Sequence, residues 1–249
     1  MFASRHWFLR GLSLVLAVLF ACALPASIPA LAEEEVRYIA PSLPSDADPY
    51  DPEHPENLDE DQLYAKSAIL IEAKTGNVIF EKDADAVMYP ASTTKIMTIL
   101  LGIMMGDMSQ TVYLSDTAMW GIQDGDAVMD LDVGESINFK DLLYGIGVSS
   151  AADCTYMIVK EVAGTEEAFV NMMNAKAQEL RIYDAEFDNA VGFDSATNVT
   201  TARDMAQIMA YAMQCELIAD ILKPRTSNYV ITAYWEKDGV PTPYNVSLK

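Results

Sequence analysis

Hydrophobic and polar positions divide the chain into three stretches of different character. Residues 12–24 are an apolar run near the N-terminus, and residues 33–65 contain few large apolar side chains. From Ser67 onwards, short apolar runs alternate with polar turns. Because the third stretch has the periodicities of strands and helices, it predicts a folded domain over residues 66–249.

The folded stretch begins with a predicted β-hairpin and continues as a series of helices. Residues 67–72 and 77–81 are β-type runs on either side of Ala73-Lys74-Thr75-Gly76, which is typical of a turn. Helical patterns then cover residues 92–105, 139–148, 151–163, 166–180 with Thr165 as its N-cap, and about 200–215, followed by a strand pattern over 228–235. Strands at both ends with helices between them predict an α+β fold whose sheet joins distant chain segments.

The helix predicted after Pro90 is apolar on nearly every face. Its hydrophobic positions are Ile96, Met97, Ile99, Leu100, Ile103 and Met104. A helix of this kind is buried. Ser92 and Lys95 on its first turn must therefore hydrogen-bond each other or face a cleft.

The N-terminal stretch has the organisation of a secretory leader. Arg5 and Arg10 precede the apolar run, and Ala30-Leu31-Ala32 matches an A-x-A cleavage site, so residues 1–32 predict a signal peptide and an exported, extracytoplasmic protein. The run is too short to indicate a membrane span. An alternative interpretation, a lipoprotein modified at Cys22, fits the preceding Phe20 poorly.

Residues 33–65 hold five prolines and eleven acidic residues, a composition typical of a flexible linker. Its scattered carboxylates lack the spacing of a calcium loop. The whole chain has a net charge of −21, which becomes −23 without the two arginines of the leader. So acidic a protein is not expected to bind nucleic acid.

Cysteine and histidine contents exclude several kinds of site. Only Cys154 and Cys215 follow the leader, too few for a disulfide-stapled domain, and both are predicted to be buried apolar residues. The histidines are His6 in the leader and His54 in the linker. A Ser-His-Asp triad and a two-histidine zinc site are therefore not expected.

Ser92-Thr93-Thr94-Lys95 offers a serine hydrolase a different base. Residues three apart on a helix share a face, so the Lys95 amine can approach the Ser92 hydroxyl. Burial lowers the pKa of a lysine and makes a free amine available near neutral pH. The pair can then act as nucleophile and base in acyl transfer.

The segment around this pair, Tyr89-Pro90-Ala91-Ser92-Thr93-Thr94-Lys95-Ile96-Met97-Thr98, resembles the active-site segment of the serine D-alanyl-D-alanine carboxypeptidases, the low-molecular-weight penicillin-binding proteins. Further similar stretches are the hairpin at 67–80, residues 141–169, and 189–204. The resemblance covers about residues 66–215. It implies a β-lactamase/transpeptidase-like α+β fold, with an antiparallel sheet and an all-helical subdomain. It implies no metal or organic cofactor.

The resemblance also implies roles for individual residues. Ser92 would be the nucleophile, Lys95 its base, and Ser150 a relay that passes a proton to the leaving amine. The family's second motif, S-x-N, would end at position 152, where this chain has Ala152. In the family that asparagine fixes the substrate amide and contacts the lysine, so its loss predicts impaired turnover.

The third motif of the family, Lys-Thr-Gly on the strand beside the cleft, does not follow the second motif in this sequence. The Lys74-Thr75-Gly76 triplet precedes the nucleophile and is expected to belong to a turn. We therefore expect either a fragment of a longer protein, without the C-terminal strands that would follow Lys249, or a chain that has lost this strand.

The predicted function is removal of the terminal D-alanine from peptidoglycan stem peptides, with β-lactams as covalent inhibitors and membrane attachment left open. A second hypothesis is a pseudoenzyme that binds cell-wall peptide or an envelope protein. A class A β-lactamase is disfavoured because no Glu-x-x-Leu-Asn occurs after Thr155.

Overall fold

A computed structural model describes residues 63–116, 120–223, 229–237 and 239–248. The predicted signal peptide, the predicted linker up to residue 62, and both histidines lie outside the described residues. The strands are β1 Ala68–Ile71, β2 Val78–Lys82, β3 Thr111–Tyr113, β4 Ser136–Asn138, β5 Tyr229–Lys237 and β6 Val240–Leu248. The helices are α1 Lys95–Met105, α2 Phe139–Ser149, α3 Ala152–Ala163, α4 Glu166–Glu179, α5 Ala202–Ala212 and α6 Glu216–Ile221, and a 3-10 turn at Ala91–Thr94 precedes α1.

Side-chain caps fix the starts of three helices. The Asn138 side chain accepts from Lys140 N at the start of α2, and Thr165 accepts from Ala168 N at the start of α4, which confirms the predicted cap. Thr201 caps α5 in the same way. The helix predicted to run from 200 to about 215 instead ends at Ala212, and α6 follows as a separate short helix.

The described strands form two antiparallel sheets, and the strands at the two ends of the fold do not share one. The hairpin of β1 and β2 is a sheet of its own, and the other sheet has the order β3-β4-β5-β6. In that sheet Ile137 pairs with Ala233, so distant segments do meet, but between β4 and β5. The α+β class and the antiparallel pairing are confirmed.

Helix α1 lies at the centre of the helical part, as its apolar sequence predicts. It packs against α2, α3, α4 and α5. Gly102 allows the close approach, because a Cβ there would lie 2.9 Å from Leu143 Cδ2 and 3.2 Å from Ile158 Cγ2. The buried residues of α1 are Lys95, Met97, Thr98, Ile99, Leu100, Leu101 and Gly102. Lys95 thus belongs to a largely buried helix, which fixes the position of its amine.

The hairpin turn and the cysteines agree with their sequence predictions, with one difference. Gly76 has a φ of +73°, its N–H donates to Glu72 O, and the Glu72 carboxylate accepts from Thr75 N. Lys74-Thr75-Gly76 therefore forms the turn of the hairpin, as predicted. Cys154 and Cys215 are unbridged. Cys154 is buried, whereas Cys215 is only half-buried.

Candidate active site

Ser92 and Lys95 meet at the start of α1. Ser92 lies in the 3-10 turn, where side chains three residues apart eclipse each other. The Ser92 Oγ and Lys95 Nζ atoms are 3.2 Å apart, which is hydrogen-bonding distance. Ser92 is exposed to solvent, whereas Lys95 is only 7% exposed. A solvent-reachable hydroxyl is therefore backed by a shielded amine.

The surroundings of Lys95 favour its neutral form. Its amine donates to Val191 O at 2.8 Å, and among the described residues no carboxylate lies within 4.0 Å of it. Burial lowers the pKa of Lys95, and the charge of Asp126 opposes that effect. A lysine in this setting can accept the proton of the neighbouring serine.

A loop from a distant part of the sequence holds this pair in place. The Asn189 side-chain oxygen accepts from Gly192 N at 2.7 Å and from Phe193 N at 2.9 Å, which shapes the loop. The Thr98 hydroxyl donates to Ala190 O at 2.8 Å and attaches the loop to α1. The loop thus presents Val191 O to the amine of Lys95.

Gly192 is the one position of this loop where only glycine fits. Its φ is +93°, and a Cβ there would lie 1.8 Å from Ala91 O. Ala91 itself has a φ of +46°, an uncommon conformation for a residue with a side chain. The loop therefore packs directly on the backbone that carries Ser92, and a side chain at 192 would push the two apart.

Ser150 lies between α2 and α3, separate from the pair in its hydrogen bonding. It is half-buried and caps α2 in the left-handed conformation, with φ 55° and ψ 30°. Its N–H donates to Ile146 O at 3.0 Å. Within the described part of the chain its hydroxyl makes no hydrogen bond to Ser92 or Lys95. The structure brings Ser92 and Lys95 together, but it does not show Ser150 bonded to either of them.

Ala152 occupies an apolar corner next to the site. It is 2% exposed, and it clusters with Tyr156 and Val191. Val191 is also the residue whose carbonyl accepts from Lys95. Position 152 therefore lies beside the environment of the lysine, but its methyl group supplies no hydrogen bond there.

Comparison with known proteins identifies the family. The family model described as D-alanyl-D-alanine carboxypeptidase (peptidase S11) matches residues 54–236. This chain belongs to the D-alanyl-D-alanine carboxypeptidase family. It is similar to D-alanyl-D-alanine carboxypeptidase DacF of Bacillus subtilis, with 34% identity over 74% of this chain and 52% of the relative. It is also similar to DacA of Escherichia coli K12, with 33% identity over 59% of this chain and 38% of the relative.

The fold agrees with that of a solved structure. The crystal structure of the Streptomyces K15 DD-transpeptidase matches with a TM-score of 0.67 and 23% identity, over 74% of this chain and 73% of that one. This likeness shows the transpeptidase-like fold. The chain spans about half or less of the length of the curated carboxypeptidases that it matches.

Sequence reasoning missed Asp153, which anchors the start of α3. Asp153 is fully buried, and its carboxylate accepts from Met129 N at 2.9 and 3.1 Å and from Cys154 N at 2.8 Å. Burial raises its pKa against these hydrogen bonds. An acidic residue in the first turn of a helix is the sequence signal that could have marked it. Asp153 ties the preceding loop to the motif position of this family member.

Asp126 was also missed, and it lies on the loop that Asp153 holds. Its carboxylate accepts from Gln123 N at 2.7 Å. Its charge acts on Lys95, and also on Tyr156, whose pKa is raised by burial, by Glu166 and by Asp126. No motif of the sequence singles it out, because its role depends on where the loop is folded.

Other chemistry is not evident in the described ranges. Burial raises the pKa of the Cys154 thiol well above its ordinary value, so it is not a nucleophile. Of the residues described, no group of three or more His, Cys, Asp or Glu side chains could hold a metal ion. Among the described residues, no helix has both the length and the hydropathy needed to span a membrane.

Proposed function

We propose that this chain carries the acylation site of a serine D-alanyl-D-alanine carboxypeptidase that removes the terminal D-alanine from peptidoglycan stem peptides. The observation that supports this proposal most is the 3.2 Å approach of Ser92 Oγ to Lys95 Nζ, with the lysine buried and its pKa lowered. Membership of the carboxypeptidase family supports the substrate class.

In the proposed reaction, the hydroxyl of Ser92 attacks the carbonyl carbon of the penultimate D-alanine while its proton passes to the neutral amine of Lys95. The C–N bond then breaks, and the departing D-alanine takes a proton, which Ser150 would relay from the lysine. Water afterwards hydrolyses the ester on Ser92. A β-lactam would enter the first step and remain as an ester on the same serine.

A binding function without turnover is the second candidate. Ala152 favours it, because the apolar corner formed with Tyr156 and Val191 lacks the polar group that would hold the substrate amide. A protein of this kind would bind a peptide ending in D-alanyl-D-alanine and release it unchanged.

Labelling with a fluorescent penicillin separates the two candidates. An acylating chain gains a covalent adduct, which mass spectrometry of its peptides places on Ser92. Ser92→Ala is expected to lose the adduct and keep its urea unfolding curve, whereas Ser109→Ala, a change of the same kind on an exposed loop, keeps the adduct. An unlabelled wild-type chain that still binds the peptide in calorimetry would reject the carboxypeptidase proposal.

We also propose that the protein is exported through residues 1–32. The support is the charged start, apolar run and Ala30-Leu31-Ala32 of the sequence. Expression in a bacterial host with separation of cell fractions tests this. An extracytoplasmic product whose N-terminal sequence starts at Glu33 is expected, and a cytoplasmic product that retains Met1 would contradict it.

A further inference from the structure

A fastened loop brings one carboxylate into the neighbourhood of Lys95. Ala152 N, at the start of α3, donates to Ala127 O at 2.8 Å, and the Asp153 carboxylate accepts from Met129 N. Within the loop, Gln123 N donates to the Asp126 carboxylate at 2.7 Å, and Asp126 N donates to Gln123 O at 3.1 Å. Asp126 is therefore held in a closed turn, one residue before the contact with Ala152.

The same corner contains the lysine. Ala152 and Val191 belong to one apolar cluster with Tyr156, and Val191 O accepts from Lys95 Nζ at 2.8 Å. Asp126 Oδ2 is engaged with Gln123 N, while Oδ1 accepts no hydrogen bond within the described residues. The position that carries an asparagine in the resembled family thus carries a methyl group here, and a carboxylate lies on the adjoining loop.

The other titratable groups of this corner have different tasks. Tyr156, on α3, packs against Ala152 and is edge-on to Trp120, and burial keeps its phenol protonated by raising its pKa. Glu166, the first residue of α4, accepts from Ala190 N at 3.1 Å. The charge that acts on the amine of Lys95 is that of Asp126.

We propose that Asp126 is a positioning residue for proton transfer, whose carboxylate stabilises the ammonium that Lys95 becomes when it takes the proton of Ser92. The role rests on the proposed function. In the resembled family the motif asparagine contacts this lysine with a neutral side chain. A negative charge makes the amine a stronger base but leaves less of it uncharged at a given pH.

This trade-off predicts a pH effect that a structural role would not produce. In Asp126→Asn the side-chain oxygen can still accept from Gln123 N, so the turn is retained while the charge is lost. The acid limb of penicillin acylation is expected to move to lower pH by about half a unit. The plateau rate is expected to fall severalfold, because Lys95 becomes a weaker base.

The deciding measurement does not depend on acylation. In a chain labelled with 13C at the lysine Cε positions, the resonance of Lys95 is assigned by its loss in Lys95→Met, and its titration is followed against pH. Its midpoint is expected to fall in Asp126→Asn and to stay unchanged in Asp124→Asn, which removes an exposed charge of the same loop. Asp126→Ser retains an acceptor for Gln123 N and provides a second variant.

The outcomes separate this inference from the proposed function. A lowered midpoint without any penicillin adduct would reject the carboxypeptidase proposal and retain the electrostatic coupling. Coincident Lys95 titrations in the wild-type, Asp126→Asn and Asp126→Ser chains would overturn the inference. So would slower acylation of the variants without a shift of the acid limb, since a loop that only shapes the site would give that result.

Discussion

Two helix starts form this site, and they differ in how their polar groups are satisfied. At the start of α1, Ser92 and Lys95 are within hydrogen-bonding distance, and the lysine also donates to Val191 O. At the start of α3, Ser150 has no such partner among the residues that the structure describes, and Ala152 adds only apolar contact. Asp153 and the loop it holds retain the backbone of the second motif, while a methyl group at Ala152 replaces the amide of its asparagine.

The difference teaches that motif position and motif chemistry are separable. Backbone hydrogen bonds such as Ala152 N to Ala127 O hold the helix start whatever side chain occupies it. The contact between Ser92 and Lys95, in contrast, depends on side-chain atoms and on burial. A family member can therefore keep the architecture of a motif after losing one of its functional groups.

The largest effect is expected from a substitution that disrupts the start of α1. Gly192→Ala places a Cβ 1.8 Å from Ala91 O at a φ of +93°, so the loop must move off the backbone that carries Ser92. We expect a loss of at least about 3 kcal/mol in the free energy of unfolding, measured in urea, and loss of penicillin labelling. Gly134→Ala is the control, with a similar φ of +95° in open space and an expected loss of about 1 kcal/mol. Equal losses in the two variants would mean that the contact with Ala91 does not matter.

The next largest effect is expected from a substitution that restores the missing polar group at the start of α3. Ala152→Asn restores the hydrogen-bonding group of the second motif, and the rate of penicillin acylation is expected to rise about 100-fold. The larger side chain must fit between Tyr156 and Val191, so about 1–2 kcal/mol of stability should be lost. Ala151→Asn, one residue earlier and equally buried, should lose stability without any gain in rate. A similar gain in both variants would show that position 152 has no special role.

A smaller effect tests the burial of the base. Burial lowers the pKa of Lys95 in the folded chain, so between that lowered pKa and the ordinary value of 10.5 the folded chain binds fewer protons than the unfolded chain. The free energy of unfolding therefore rises with pH between those two values. Lys95→Met removes the free-energy cost of burying this amine and should stabilise the chain by about 1 kcal/mol at pH 7. That gain should shrink towards pH 10.5. Lys74→Met, on the exposed turn, should change nothing, and a pH-independent gain at Lys95 would contradict this reasoning.

The smallest effect concerns Ser150. Its φ of 55° strains a residue with a Cβ by about 1 kcal/mol, and glycine would relieve this but lose more entropy on folding. Ser150→Gly should therefore gain about 0.5 kcal/mol in urea unfolding, whereas Ser150→Ala should gain nothing. If the hydroxyl relays a proton, both variants should release D-alanine more slowly than the wild type. Unchanged release would exclude the relay.

Much of the fold followed from short-range patterns. The spans of α1 to α4, the cap at Thr165 and the β1-β2 hairpin agree with the sequence to within a few residues. Strands β3 and β4, three residues each, are too short for a period of two to be recognised. Strand β6 was missed although Asp238-Gly239, between two β-type runs, is a hairpin signal, and Gly239 has a φ of +77°.

The sequence alone determined the pairing of Ser92 with Lys95, because residues three apart on one helical turn meet wherever that turn is formed. It also determined the burial of α1, since a helix without a polar face has to be covered. Only the tertiary structure decided which groups surround the lysine. Val191 O lies 96 residues further along the chain, and the Asp126 loop reaches the same corner through one backbone hydrogen bond to α3 and through the Asp153 carboxylate. Such neighbours come from long-range packing, which no local spacing encodes, and they set the protonation of the base.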